Sequence, residues 1–232
     1  MDEFSLVQKI IIWALPVILA ITVHEVAHGW AALQLGDRTA QMMGRLTLNP
    51  IKHVDPLGTL VIPGLMLMLT GMMFGWAKPV PVTYQNLRNP KSDMAWVALA
   101  GPIANLTMAA IWAMIVKLGI TLAQAEIALG APMVYMAVAG VLINTMMMIF
   151  NLLPLPPLDG GRVLVSFLPG PLAWKVQQIE PYGIFILVGL LYLGLGQFVL
   201  WPLIDAFFSL LGLLFYIPPQ EFVDFLNSLA NR

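Results

Sequence analysis

The 232-residue chain has no cysteine, which excludes disulfides, a thiolate nucleophile and any cysteine-based zinc or iron–sulfur centre. Charge is also scarce: Asp, Glu, Lys and Arg make up 10% of residues against 59% hydrophobic, with a mean hydropathy of +0.85. Soluble domains carry more charge and fewer apolar residues, so composition alone indicates a polytopic integral membrane protein. A formal net charge of −1 and the lack of any Lys/Arg run leave no footprint for nucleic acid. Met1-Asp2-Glu3 is acidic where a signal peptide would be basic, and the apolar run from Leu6 continues past residue 20. The N-terminus is therefore expected to be retained. Histidine is limited to three residues, so a metal site must be built from these and from carboxylates. The fifteen methionines form no MxxM cluster beside them and read as packing, not as a copper pathway.

Two of the histidines lie in Thr22-Val23-His24-Glu25-Val26-Ala27-His28, an HExxH motif inside that apolar run. Residues four apart share a helix face, so His24 and His28 can offer two imidazole nitrogens to one metal ion, zinc above all. Glu25 leaves the same turn about 100° away, within reach of a water at the metal without being obliged to ligate it. That is the position of a general base. A chance HExxH on a surface helix is the bland alternative. An ionisable group at the bilayer centre costs on the order of 3 kcal/mol or more, and three within five residues need a compensating partner, which a bound cation supplies.

The first helix is expected from Leu6 to Leu35, about 45 Å long, with Pro16 a site for a kink. Residues 37–56 are too polar to span, and the alternation over Gly44–Leu48 predicts a short strand. His53 and Asp55 fit either an interfacial turn with a His–Asp hydrogen bond or, for His53, a substrate contact at the mouth of the site. Residues 57–75 are apolar yet interrupted by Pro63, Gly64 and Gly71. Residues 76–91 are interfacial, with Trp76 and Tyr84 suited to the headgroup zone.

A second span is expected from Met94 to Leu118, in which Gly101 and Ala104 permit close helix contact and Pro102 frees a carbonyl. Asn105 there serves as an interhelical hydrogen-bonding group or as a substrate contact. A third span runs from Met133 to Leu152 and ends in Asn151-Leu152-Leu153-Pro154-Leu155-Pro156-Pro157-Leu158-Asp159-Gly160-Gly161. Three prolines in four positions cannot continue a helix, and unwound backbone at membrane depth is tolerated only in protein or beside a cavity. This segment should border the site.

Asp159 is the best third metal ligand, its two following glycines allowing the carboxylate to be aimed inward. Glu126, Glu180 and Asp205 compete for that role. An interfacial stretch over 169–181, apolar segments near 182–198 and 200–216, and an amphipathic tail over 221–229 complete the chain. The fold class expected is an all-α polytopic membrane protein with about five to six transmembrane helices, a re-entrant segment and short membrane-edge β-strands. Its core is placed at 1–168, with C-terminal helices and tail at 169–232.

With HEVAH, AGPIAN and NLLPLPPLDGG in that order, residues 6–168 resemble the site-2 protease family of intramembrane zinc metalloproteases, in its compact prokaryotic form. The resemblance implies one zinc ion on His24, His28 and Asp159, with Glu25 as catalytic base. It also implies that Asn151 stabilises the oxyanion or holds the substrate backbone, and that Pro157 lies beside the site. It assigns His53 and Asp55 no role, and the chain has no room for the PDZ domain of larger members. The expected function is hydrolysis of peptide bonds within or near transmembrane segments, the substrate held extended against the strand at Gly44–Leu48. The expected partners are a membrane-protein substrate with a transmembrane segment and the lipid bilayer, with homo-oligomerisation left open. The rival reading is a non-proteolytic membrane zinc carrier or scaffold, which would need polar residues strung across the bundle.

For Asp159 to meet the histidines, residues 57–75 are expected to dip in and return near Pro63-Gly64; a full span would leave Asp159 at the opposite end unless the prolines at 154–157 let it fold back. Arg38, Arg45, Lys52, Lys78, Arg88, Lys91 and Arg162 then gather on the side where the first helix ends, against Lys9 and Lys117 on the other. By the positive-inside rule the site opens to the cytoplasm of a prokaryotic cell membrane, with the N-terminus outside.

Overall fold

A computed structural model of the protein describes residues 5–55 and 78–218, together with Phe222 and Asp224. The described residues are helical with no strand. Helix α1 covers Leu6–Gln34, α2 Thr39–Met42, α3 Pro90–Gln124, α4 Gly130–Asn151, α5 Asp159–Phe167, α6 Gly170–Gln177, α7 Gly183–Tyr192 and α8 Trp201–Phe215. Among the described residues four helices are long and apolar enough to cross a membrane, at Ile10–Gln34, Pro90–Gln124, Gly130–Asn151 and Gly196–Phe215. The apolar segment near 182–198 is divided: α7 ends at Tyr192, and Gly194 takes a φ of 101°.

Helix α1 starts on a reciprocal capping box between Ser5 and Gln8 and runs through Pro16 without a break. It stops where Gly36 adopts a φ of 117° beside Asn86, a conformation that disfavours residues with a Cβ. There the Arg88 N–H donates to Leu35 O at 3.0 Å, so α3 begins where α1 ends.

Helices α3 and α4 form the tightest pair. Gly119 and Gly130 let their facing ends meet, and a Cβ at Gly140 would overlap the Trp112 indole. The core here is Ala109, Ala113, Val116, Val134, Ala137 and Val138, joined by Ile204, Phe208 and Leu211 of α8. Lipid offers helices no hydrophobic drive to associate, so close packing of small residues must hold them. Going up α3 and down α4, the chain returns to the end where α1 stops.

Residues 44–48 form a turn and bend, not the expected strand. Arg45 explains the difference: its guanidinium donates to the carbonyls of Lys78 (2.9 Å) and Pro79 (3.3 Å), which ties the segment down through a side chain instead of a backbone ladder. The expected dip at 57–75 and most of the tail at 221–229 lie outside the described residues. The flanks of the former meet, since Lys78 N–H donates to His53 O at 2.9 Å.

Candidate active site and metal centre

His24 and His28 project from α1 toward α3, each ring held at Nδ1 by an oxygen of that helix. His28 Nδ1 lies 2.7 Å from Val97 O, the carbonyl next to that of Ala98, whose helix donor Pro102 removes. A carbonyl only accepts, so His28 carries its proton on Nδ1.

His24 is fixed by a longer chain of bonds. Asn144 Nδ2 donates to Gly140 O at 2.9 Å, Asn105 Nδ2 donates to Asn144 Oδ1 at 2.9 Å and to Ala20 O at 3.3 Å, and Asn105 Oδ1 faces His24 Nδ1 at 2.6 Å. Two backbone carbonyls set both amide orientations, and so the His24 tautomer. Both asparagines are fully buried. Asn105 thus stands behind His24 and outside the cavity, in the interhelical role and not as a substrate contact.

Both Nε2 lone pairs therefore point inward, 3.0 Å apart. Asp159 Oδ2 stands 3.3 Å from the first and 3.2 Å from the second, buried and without a hydrogen bond. Three acceptors face one another with no proton between them, which a cation resolves. The edge of a tetrahedron of zinc–nitrogen and zinc–oxygen bonds is about 3.3 Å, matching all three separations. Gly101 supplies the room, since a Cβ there would lie 2.7 Å from His24 Nε2 and closer to His28 Nε2. The residues present fit zinc.

Asp159 reaches the histidines as the first residue of α5. The glycines after it act differently from expectation: neither has a positive φ, and what matters is their missing Cβ. In Gly160 it would strike the carbonyls of Leu152 and Leu153, and in Gly161 the backbone of Leu155 and Pro156. Their bareness lets α5 nest against the unwound segment and carries Asp159 home. Of its competitors, none joins the metal-ligand cluster found among the described residues.

Glu25 is half-buried beside the histidines, its Oε2 accepting from Val80 N–H at 2.7 Å. The ligands open onto a cavity of about 160 Å³ whose walls include Glu25, Val80, Tyr84, Asn151, Pro157 and Arg162. Asn151 uses one amide proton on Met147 O at 3.0 Å and has a second to offer. His53 is not on that wall: it is buried, with Nε2 at 2.9 Å from Thr47 O, and holds the 47–53 turn.

Sequence reasoning missed Asn144, Val80 and the cavity positions of Tyr84 and Arg162. Asn144 had a signal, a second amide in an apolar span. Tyr84 and Arg162 read equally well as interfacial residues.

Outside the spans, a buried carboxylate fixes the cavity's upper wall. Asp37 accepts from Thr39 N–H (3.0 Å) and hydroxyl (2.5 Å), Asn86 Nδ2 (3.0 Å) and Thr83 N–H (2.7 Å). Burial pushes its carboxyl up, but these donors together hold it below the ordinary carboxylate value. The segment bearing Tyr84 is thereby anchored to the end of α1.

Peptidase family M50 is the family whose profile matches, over residues 117–191. Putative zinc metalloprotease YwhC of Bacillus subtilis is 39% identical over 197 residues, covering 82% of this chain and 84% of that protein. Putative zinc metalloprotease Rip2 of Mycolicibacterium smegmatis is 30% identical over 200 residues, 86% of this chain and 74% of that one. A protein of the same name from Mycobacterium tuberculosis strain H37Rv is 27% identical over 180 residues, 77% and 64%. No solved structure matches the chain. Four apolar helices of spanning length, a His–His–Asp cluster of zinc-ligand dimensions and relatives of this closeness along most of the chain agree: the chain belongs to peptidase family M50, the site-2 proteases.

Proposed function

We propose that the protein hydrolyses peptide bonds within or near the transmembrane segments of membrane-protein substrates, using one zinc ion on His24, His28 and Asp159. One observation carries this reading: three metal-ligand atoms and a glutamate outside the ligand set share one cavity between apolar helices. Bound zinc supplies Lewis acidity, activating water and polarising a carbonyl. Glu25, set beside the ligands and not among them, takes the proton of the attacking water and passes it to the leaving amine. Asn151 offers its remaining amide proton to the developing oxyanion. Val97 and the Asn105–Asn144 pair keep both imidazoles in the ligating tautomer.

Residues 1–168 form the catalytic unit in this reading, and 169–232 complete the bundle. The meeting of Lys78 with His53 and of Arg88 with Leu35 supports a segment at 57–75 that returns to the side it left. With the lysines and arginines gathered there, the site opens to the cytoplasm of the cell membrane. The partners are the bilayer and a substrate with a transmembrane segment, and the catalytic groups all come from one chain.

The test compares wild type with Glu25→Gln on a membrane-anchored reporter, zinc being measured in both. Loss of cleavage with zinc retained is expected. Equal cleavage by both would refute the mechanism, and zinc bound with no cleavage of any reporter by wild type would favour a carrier or scaffold.

A further inference from the structure

The cavity holds one fixed positive charge that this chemistry leaves unused. Arg162 follows Asp159 by three residues on α5, hence on the same helix face, and lines the same cavity. Its guanidinium donates to the Tyr84 hydroxyl and lies 5.4 Å from the Tyr84 ring centre. Among the described residues no carboxylate pairs with it within 4.0 Å, the ion pairs here being those of Asp159 with His24 and His28. Asp159 and Glu180 act on it only from a distance.

The two carboxylates on the cavity wall, Glu25 and Asp159, balance one divalent ion. The guanidinium is left over, half removed from water, where an uncompensated charge is costly. Four of its five N–H groups are not spent on Tyr84, and the planar fork they form matches a carboxylate with two parallel bonds. Tyr84 adds a further donor: Arg162 occupies its oxygen, so its own proton is left to give. Burial pushes the phenol above its ordinary value of 10.0 despite the opposing pull of Arg162, and the hydroxyl keeps that proton at neutral pH.

Resting on the peptidase reading, we infer that Arg162 and Tyr84 form a carboxylate-binding subsite, selecting substrates that carry a carboxylate close to the bond cut. An Asp or Glu side chain or a free C-terminus would satisfy the same chemistry.

The test uses the full zinc-loaded protein in detergent and a single-span peptide in two arms. In one arm, successive positions flanking the cleaved bond are Asp or Asn; in the other, the peptide ends shortly after that bond as a free acid or an amide. Wild type should favour the acid form by roughly ten-fold or more in kcat/KM, chiefly through KM, in at least one arm. Whichever arm shows the preference identifies the source of the carboxylate. In Arg162→Gln the acid-to-neutral ratio should fall toward one, with partial recovery in Arg162→Lys and an intermediate ratio in Tyr84→Phe, which also serves if Arg162→Gln does not fold. The same ratios, read as Kd on the Glu25→Gln background, need no turnover. A wild type indifferent to acid and neutral peptides in both arms would overturn the inference, as would an Arg162→Gln that slows both forms equally. Failure of every peptide to be cleaved counts against the peptidase reading instead, and the binding ratios still decide the subsite.

Discussion

Val80 N–H donates to Glu25 Oε2 across 2.7 Å, and it is the only backbone donor in the run Pro79-Val80-Pro81. The proposed base on α1 is thus oriented by a segment that Arg45, His53 and Asp37 tie down separately. A hydrogen bond to a charged group contributes about 1.5–3 kcal/mol. Val80→Pro should lower cleavage roughly ten-fold or more with zinc content retained, while Val80→Ala keeps the donor. Steady-state rates beside metal analysis check this.

Gly101→Ala should empty the metal site without unfolding the bundle. Its methyl group would fall among the two Nε2 atoms, where an ion must sit. Zinc per chain should drop to a minority of molecules while circular dichroism stays helical. Full zinc occupancy in the variant would contradict the assigned geometry.

Asn105→Leu removes the acceptor that fixes the His24 tautomer. Losing such an outer partner costs about 10–100-fold in metal affinity. Asn144→Leu should give part of that loss, and the double variant little beyond Asn105→Leu, because the residues form one chain. Competition with a zinc chelator measures all three.

Asp37 makes a prediction in pH. Its folded carboxyl lies below the ordinary 3.8, so its contribution is complete above the unfolded value and fades as pH falls below it toward the folded one. Asp37→Ala should cost on the order of 3 kcal/mol at neutral pH, leaving buried donors unmet. The gap in Tm between variant and wild type should narrow below pH 4. A gap constant down to pH 2 would show that the charge is not what those donors hold.

Single cysteines in this cysteine-free chain can test the orientation. Labels at Met43 and Arg88, both exposed, should react from the cytoplasmic side, and one at Glu126 from the opposite side. Opposite accessibility of 43 and 88 would exclude the returning segment.

Helix α1 was legible in the sequence almost to the residue, because one apolar run begins at Leu6 and Gly36 follows its end, though the Ser5 cap that starts it went unread. The pairing of Asp159 with the histidines was legible because lipid leaves charged groups few acceptable positions. What escaped depended on contacts between distant residues. Period-two alternation at 44–48 suggested a strand, but Arg45 spends its donors on Lys78 and Pro79. The second span was expected to start at Met94, yet Pro90 at its first position and Asp93 in its first turn extend it upstream. Gly160 and Gly161 could be flagged as special, but whether torsion or clearance mattered could be decided only with the opposing backbone in view.

The orientation of the two imidazoles rests on three carbonyls, Ala20 and Gly140 through Asn105 and Asn144, and Val97 directly. These belong to α1, α4 and α3, and the third ligand arrives on α5. Any ion that binds there prefers the one helix arrangement in which all four elements are in register, so occupancy and bundle cohesion are thermodynamically linked. At a free ion concentration a hundred times its Kd, that linkage adds about 2.7 kcal/mol to the assembled state. Chelation should accordingly loosen the bundle as a whole, and the protein's resistance to heat will follow the zinc activity of its surroundings.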